Sequence, residues 1–460
     1  MPNVVLINPL WTKRKGNIWR KVGGCLPPLG LGYIASSCER NNISVAMIDA
    51  NAENLDNDEI VARLRGVKFE FVGVSVTTIT LNPALRLAEE IKRNFPACTM
   101  VFGGVHATVD PDSIIKHAAI DYVLQGEAEQ SFPALLRSAD PSLVAGLTYK
   151  ASAGVVHNPP APRIADLDSL PPPAWHLLPV NLYRPSLGNY KRLPGVGMIA
   201  SRGCPGKCTF CYVGTNGETV RRRSARNVVD EIKYLRDNNG IREISFYDDN
   251  FTTSKTFVSE FCSLLAQENV KITWTCASRV DTVNEEILKT MKQGGCHQIS
   301  YGVESADEQI LKNINKRIQL PRVSETIRLT RKAGIEAKIY LMFGAPGETV
   351  DTIKTTLRFA VKTKADGFIV SIATPFPGTQ MLDWAKERGY LRILDWERYD
   401  VSTPTMELPT IATADLRQAY ATAYRTLYLR PGFLWRKLTS IRSWEDIKKY
   451  MTALAVVIGL

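Results

Sequence analysis

Along this chain, continuous apolar runs alternate with segments in which apolar residues recur every three or four positions. The runs are "NVVLIN" (3–8), "SVAMID" (44–49), "FVGVSV" (71–76), "TMVFGG" (99–104) and "DYVLQG" (121–126). Between them lie "LGLGYIASSCERN", "NDEIVARLRG", "NPALRLAEEIKRNF" and "PDSIIKHA". A strand buried on both faces reads as an unbroken apolar run, and a helix between two such strands implies a parallel crossover. Residues 1–140 therefore predict a doubly wound, Rossmann-like α/β domain whose ligands bind at the carboxyl ends of its strands.

Residues 141–195 break this rhythm. "NPPAPR" and "SLPPPAWHLLP" are stiffened by proline, which withholds backbone donors, and they predict a linker that wraps one domain around the next. A second alternation then begins, with strands expected at 196–202, 243–249, 272–279, 298–305, 337–344 and 367–375. Successive strand–helix units predict a partial (β/α)6 TIM-like barrel over 196–390, with its chemistry on loops at the carboxyl ends of the strands. Residues 391–460 read as a helical C-terminal region.

The 460 residues, 45% of them hydrophobic, suit two or three globular domains and exclude disorder as the main theme. The opening "MPNVVLINPL" enters a strand directly and lacks the parts of a signal peptide. The expected setting is the cytoplasm, where cysteines stay reduced. The net charge of +11 comes without a nucleic-acid-binding motif, so a solvated surface explains it and nucleic acid is not an expected partner.

Three of the nine cysteines, Cys204, Cys208 and Cys211, fall in "GCPGKCTFC" at the spacing C-x3-C-x2-C. A structural zinc wants four ligands, usually as two pairs, and no second pair follows. Cys262 and Cys276 fall in a predicted helix and strand and read as buried small hydrophobes. A [4Fe-4S] cluster can instead use three thiolates and leave one iron open. The triad also follows the first barrel strand, where this fold places chemistry.

The pattern C-x3-C-x-Φ-C, with Phe210 as the aromatic Φ, resembles the signature of the radical S-adenosylmethionine (radical SAM) superfamily. The resemblance implies that the methionine amine and carboxylate of S-adenosylmethionine chelate the open iron. Its reductive cleavage then gives a 5′-deoxyadenosyl radical that takes hydrogen from an unactivated carbon. Matching strand ends supply expected contacts. Asp248, Asp249 and Asn250 would hold the methionine amine, and Arg279 its carboxylate. Glu304 and Ser305 in "YGVES" would hold ribose, and Gly344, Gly347 and Glu348 in "FGAPGET" would lie beside adenine. Each acidic residue could instead cap a helix or solvate a loop. In "RRRSAR", Arg221 or Arg223 could anchor a carboxylate, or line a solvated face.

A doubly wound domain ahead of such a barrel resembles the cobalamin-binding subclass. "VSVT" brings Ser75 and Thr77, "FGGVHAT" brings Gly103, Gly104 and His106, and "QGEAE" brings Gly126 and Glu127. "NPLWTK" after the first strand lacks the D-x-H-x-x-G motif, so the resemblance implies base-off cobalamin without a protein histidine on cobalt. His106 reads as a loop or tail contact, with a structural role as its alternative. The implied activity is methylation of the substrate carbon from methylcobalamin. Its alternatives are radical cyclisation or rearrangement, as in magnesium-porphyrin ester cyclases, and a non-enzymatic cobalamin or redox sensor. The expected partners are a small or lipid-like substrate and a reductase or flavodoxin-type electron donor. The basic, tryptophan-containing tail 430–460 predicts a docked helix and leaves peripheral membrane contact open.

Overall fold

The computed structural model describes residues 3–11, 23–214, 217–439, 441 and 444–458. Parallel pairing joins β1 (Val4–Asn8), β2 (Val45–Asp49), β3 (Phe71–Ser75), β4 (Thr99–Gly103) and β5 (Tyr122–Leu124) in the order β2-β1-β3-β4-β5. Val5, Val72, Met100 and Val123 are buried on one face, and Val4, Leu6, Val101 and Leu124 on the other. Two covered faces leave no position for a polar alternation, which is why these strands are legible as apolar runs.

The sheet continues where the prolines predict only linker. β6 (Leu147–Ala151) and β7 (Gly154–His157) form an antiparallel hairpin beyond β5. The outer strand "GVVH" is mostly exposed and short, so it lacks an apolar signature. Beyond it the proline-rich segment does wrap both domains. Tyr183 OH donates to Asp49 Oδ2 at 2.7 Å, and Trp175 Nε1 donates to Glu231 Oε1 at 2.8 Å.

The second sheet is a half-barrel. It contains β8 (Gly195–Met198), and a small antiparallel ribbon, β9 (Ser201–Arg202) with β10 (Arg221–Arg222), follows it in the chain. Then come β11 (Glu243–Phe246), β12 (Thr273–Ser278), β13 (Cys296–Glu304), β14 (Glu336–Phe343) and β15 (Gly367–Ile372). The six barrel strands are parallel and lie in chain order, as right-handed strand–helix units require. Cys262 and Cys276 are both buried in its core.

An edge strand exposes unpaired backbone groups, and here the C-terminal region covers them. Tyr424 and Tyr428 are one turn apart on helix Thr413–Tyr428. The Tyr428 hydroxyl accepts from Phe368 N–H at 2.8 Å and donates to its carbonyl at 2.6 Å. Tyr424 does the same with Val370, at 3.2 and 3.0 Å. Helix Pro431–Thr439 buries Phe433 but leaves Leu434, Trp435 and Leu438 exposed. Among the described residues no helix is long and apolar enough to cross a membrane. Residues 440, 442–443 and 459–460 of the predicted tail, and Thr12 and Lys13 of "NPLWTK", lie outside the described residues.

Candidate active site

The ribbon of β9 and β10 opens a loop, residues 203–220, at the carboxyl end of the half-barrel, and all three signature cysteines lie on it. Backbone groups tie this loop across the barrel mouth. Cys204 N–H donates to Gly217 (3.1 Å), Thr209 N–H to Ile314 (3.1 Å), and Met381 N–H to Thr209 (2.9 Å). Gly206 leaves room between two thiols: a Cβ there would lie 3.4 Å from Cys204 Sγ and 4.0 Å from Cys208 Sγ. Burial, then the neighbouring Cys208 and Asp249, push the Cys211 thiol up to about 12. Burial raises Cys208 too. Such thiols become ligands when a metal's charge displaces their protons. Among the described residues no three His, Cys, Asp or Glu side chains converge on one ion. Three thiols on one loop, without a fourth His, Cys, Asp or Glu converging on them among the described residues, fit a polynuclear centre that takes one thiolate per metal better than a closed zinc site.

The acidic run at the end of β11 points three ways. Asp248 is spent on the turn into β9: its carboxylate accepts from Ala200 N–H at 3.0 Å and from the Ser201 hydroxyl. Asp249 faces the cavity between the domains, and burial raises its pKa. Asn250 is buried; its Oδ1 accepts from Arg279 N–H at 3.3 Å, while its Nδ2 finds no partner. It lines a cleft of about 660 Å³ with Arg222, Arg279 and Pro205 of the cysteine loop. The free donor on Asn250 suits an anionic oxygen, not the amine expected from the sequence. Arg279 is held in place by two bonds to Asp281, at 3.0 and 2.8 Å.

Glu304 takes φ +67° where β13 slips register against β14. That conformation is costly for a residue with a Cβ, so the surrounding bonds must hold it. Its carboxylate accepts from Lys316 Nζ at 2.8 Å, and the same ammonium lies 5.7 Å from the centroid of the Phe210 ring. Lys316 is buried, sits beside Cys208, and carries no sequence motif. The Ser305 hydroxyl pairs with Thr356 and accepts from Asp307 N–H at 3.1 Å, so it is engaged within the turn that leads to the next helix. Gly344 and Gly347 have φ +82° and +85° in the turn after β14. Glu348 is buried beneath them, and burial pushes its carboxyl up to about 7.

A cavity of about 240 Å³ separates the first sheet from the barrel mouth. Ser75, Gly103, Gly104, Gly126 and Glu127 line it from one side, and Ser201, Arg202 and Asp249 from the other. Gly104 has φ +100°, and a Cβ there would sit 2.7 Å from the Val76 carbonyl, so only glycine fits. Glu127 lines the cavity but is fully committed to protein donors. It accepts from Arg221 at 2.6 and 2.8 Å and from Ile164 N–H at 2.8 Å, and Arg202 lies 3.1 Å away. Burial would raise its carboxyl, but these donors outweigh it and the pKa falls. Arg223 likewise pairs with Glu231 at 2.5 Å, so neither arginine is available to an external carboxylate.

Two expected cavity contacts lie elsewhere. Thr77 closes a turn with Thr80, their hydroxyls 3.0 Å apart. His106 is wholly buried among the residues that pack the far face of the sheet. Its Nδ1 lies 3.1 Å from Thr78 Oγ1, its ring meets Trp396 edge-on, and burial lowers its pKa. Helix Val105–Val109 starts immediately after Gly104, and the His106 side chain is not among those that line the cavity.

Comparison with known proteins gives the same two parts. Residues 18–136 match the B12 binding domain, and residues 198–360 match the radical SAM superfamily. An uncharacterized methyltransferase of Pyrococcus horikoshii is 34% identical over 423 residues, covering 91% of each chain. An anaerobic magnesium-protoporphyrin IX monomethyl ester cyclase of Rubrivivax gelatinosus is 26% identical, covering 94% of this chain and 78% of its own. The solved radical S-adenosylmethionine methyltransferase TsrM of Kitasatospora setae, with cobalamin and a [4Fe-4S] cluster bound, matches at a TM-score of 0.71. That match has 19% identity and covers 94% of this chain and 89% of TsrM.

Proposed function

Because the chain belongs to the radical SAM superfamily, in the branch that carries a B12-binding domain, we propose that it methylates an unactivated carbon of a small-molecule substrate. When bound, the cluster and S-adenosylmethionine supply one-electron cleavage of a sulfonium, and methylcobalamin supplies a transferable methyl group. Cys204, Cys208 and Cys211 would hold the cluster. Asn250 Nδ2 and Arg279 would hold the methionine carboxylate, and Phe210 and the Lys316–Glu304 pair would flank it. Gly344, Gly347 and Glu348 would border the adenosine end. Ser75, Gly103, Gly104 and Gly126 would border cobalamin.

One observation carries this reading: the two sites share a wall. Ser201 and Arg202, at the root of the cysteine loop, and Asp249 line the same cavity that β3, β4 and the turn after β5 open. A group held there faces the barrel mouth. Among the described residues no histidine lines the cavity, which supports base-off cobalamin without a protein ligand on cobalt. Methyl transfer is favoured over ring closure by the 34% identity to a protein named as a methyltransferase, against 26% to a cyclase.

The test is anaerobic incubation of reconstituted protein with a reductant, methyl-labelled S-adenosylmethionine and small-molecule extract, followed by mass spectrometry. Label in a product supports methylation, and an unlabelled product lighter by two hydrogens replaces it with cyclisation. Absence of 5′-deoxyadenosine defeats both.

We place the enzyme in the cytoplasm, reduced by a reductase or flavodoxin-type donor. Leu434, Trp435 and Leu438 form an exposed apolar face on helix Pro431–Thr439, whose Arg436 and Lys437 turn inward to the Ala365 carbonyl and to Glu336, and this apolar face fits peripheral contact with a membrane surface. The protein should float with phosphatidylglycerol vesicles, and Trp435→Glu with Leu438→Glu should abolish flotation; wild-type protein left in the pellet fraction would rule this out.

A further inference from the structure

The neck of the cysteine loop is held by charge. Arg202 and Arg221 face each other across the ribbon, at the two ends of residues 203–220. Both guanidiniums reach Glu127, at 3.1 and 2.6 Å, and Arg202 also reaches Glu129 at 2.6 Å. The two carboxylates belong to the other domain. They sit on the turn after β5 that opens with Gly126 at φ +77° and forms one wall of the cavity. The four side chains are only 3% to 11% exposed, so salt and water do little to screen them. Glu129 Oε2 is buried in that wall without a partner.

We propose that Glu127 and Glu129 are positioning residues that couple the two cofactor sites: filling the cavity orders the cysteine loop, and an assembled cluster tightens the cavity. The coupling rests on the two-cofactor reading above. A ligand packed against Gly126 and Phe132 fixes the turn that carries Glu127. A fixed Glu127 holds Arg202 and Arg221, and they hold both ends of the loop that bears the thiols. Because binding free energies are linked, the effect runs equally in both directions.

The measurement is titration of hydroxocobalamin into the full-length protein, with its cluster removed by chelation and with its cluster reconstituted. Wild-type protein should bind about fivefold or more tightly when the cluster is present, the lower end of ordinary coupling between sites. In Glu127→Gln that ratio should fall to about one, whatever the change in either affinity taken alone. Equal affinities in the two wild-type forms overturn the coupling. So does a Glu127→Gln protein that weakens both forms and preserves the ratio, as a merely structural residue would. If Glu127→Gln does not fold, hydrogen exchange on wild-type protein decides. Hydroxocobalamin added to cluster-free protein should slow the amides of residues 203–214, and unchanged exchange overturns the coupling. Wild-type protein that binds no hydroxocobalamin in either form defeats the cobalamin assignment itself, whereas bound but uncoupled hydroxocobalamin defeats only the coupling.

Discussion

Cys208→Ala is expected to stop release of 5′-deoxyadenosine, lowering S-adenosylmethionine cleavage by roughly a thousandfold or more, equivalent to about 4 kcal/mol of barrier. Three thiols would hold three corners of the proposed cluster, and no other cysteine lies beside them to take the place of one. Cys38, Cys98, Cys262, Cys276 and Cys296 are buried elsewhere, and Cys25 lies beside Asn51 in the first domain. The variant should still fold. The loop's ties run through backbone groups of Cys204, Thr209 and Met381, not through the Cys208 thiol. Iron and sulfide content, the visible iron–sulfur absorption and product release should fall together while the melting temperature of cluster-free protein stays put. A variant that keeps both cluster and cleavage would refute the assignment, as would wild-type protein that purifies with stoichiometric zinc.

What the sequence makes legible follows from what burial does to it. Strands covered on both faces announce themselves, and so does a motif in which three identical rare residues crowd one loop. Hairpin β6–β7 escapes because its outer strand is exposed and needs no apolar run. His106 follows a glycine pair that does line the cavity, but sequence adjacency cannot say to which face of a sheet the next helix turns a side chain. Asp248 illustrates a different limit. A carboxylate at a strand end can receive a ligand's N–H or its own turn's N–H, and here the Ala200 amide takes it. What escapes is pairwise: Glu127 and Arg221 are each named from the sequence but not as partners of one another, and Lys316 is not named at all. Glu127 and Arg221 are 94 positions apart, and Lys316 is 12 positions beyond the strained glutamate it satisfies. Buried ion pairs leave no periodic trace, although removing one partner typically costs about 3–5 kcal/mol.

Gly103→Leu is expected to separate the two proposed cofactors, weakening hydroxocobalamin binding by roughly a hundredfold, or about 2.7 kcal/mol, with the fold and the cluster intact. The choice of glycine rests on space. At Gly104 a side chain would strike the Val76 carbonyl at 2.7 Å from a backbone already at φ +100°, so a substitution there would damage the sheet and teach nothing. At Gly103, the last residue of β4, a Cβ would meet only the Leu124 carbonyl at 3.7 Å, an ordinary contact. The leucine side chain therefore extends into the cavity instead of into protein. Overpacking a well-filled core typically costs about 1–3 kcal/mol, but here that cost falls on the ligand, because the space is the ligand's. The cysteines and the Asn250–Arg279 cleft do not border Gly103, so S-adenosylmethionine should still be cleaved. The expected signature is a split: 5′-deoxyadenosine continues to form while label from the methyl group no longer reaches product. General damage would lower both readouts and the melting temperature. Unchanged hydroxocobalamin affinity would show that the cavity beneath β3 and β4 is not where cobalamin binds, and the methyl donor would then have to approach the barrel from another side.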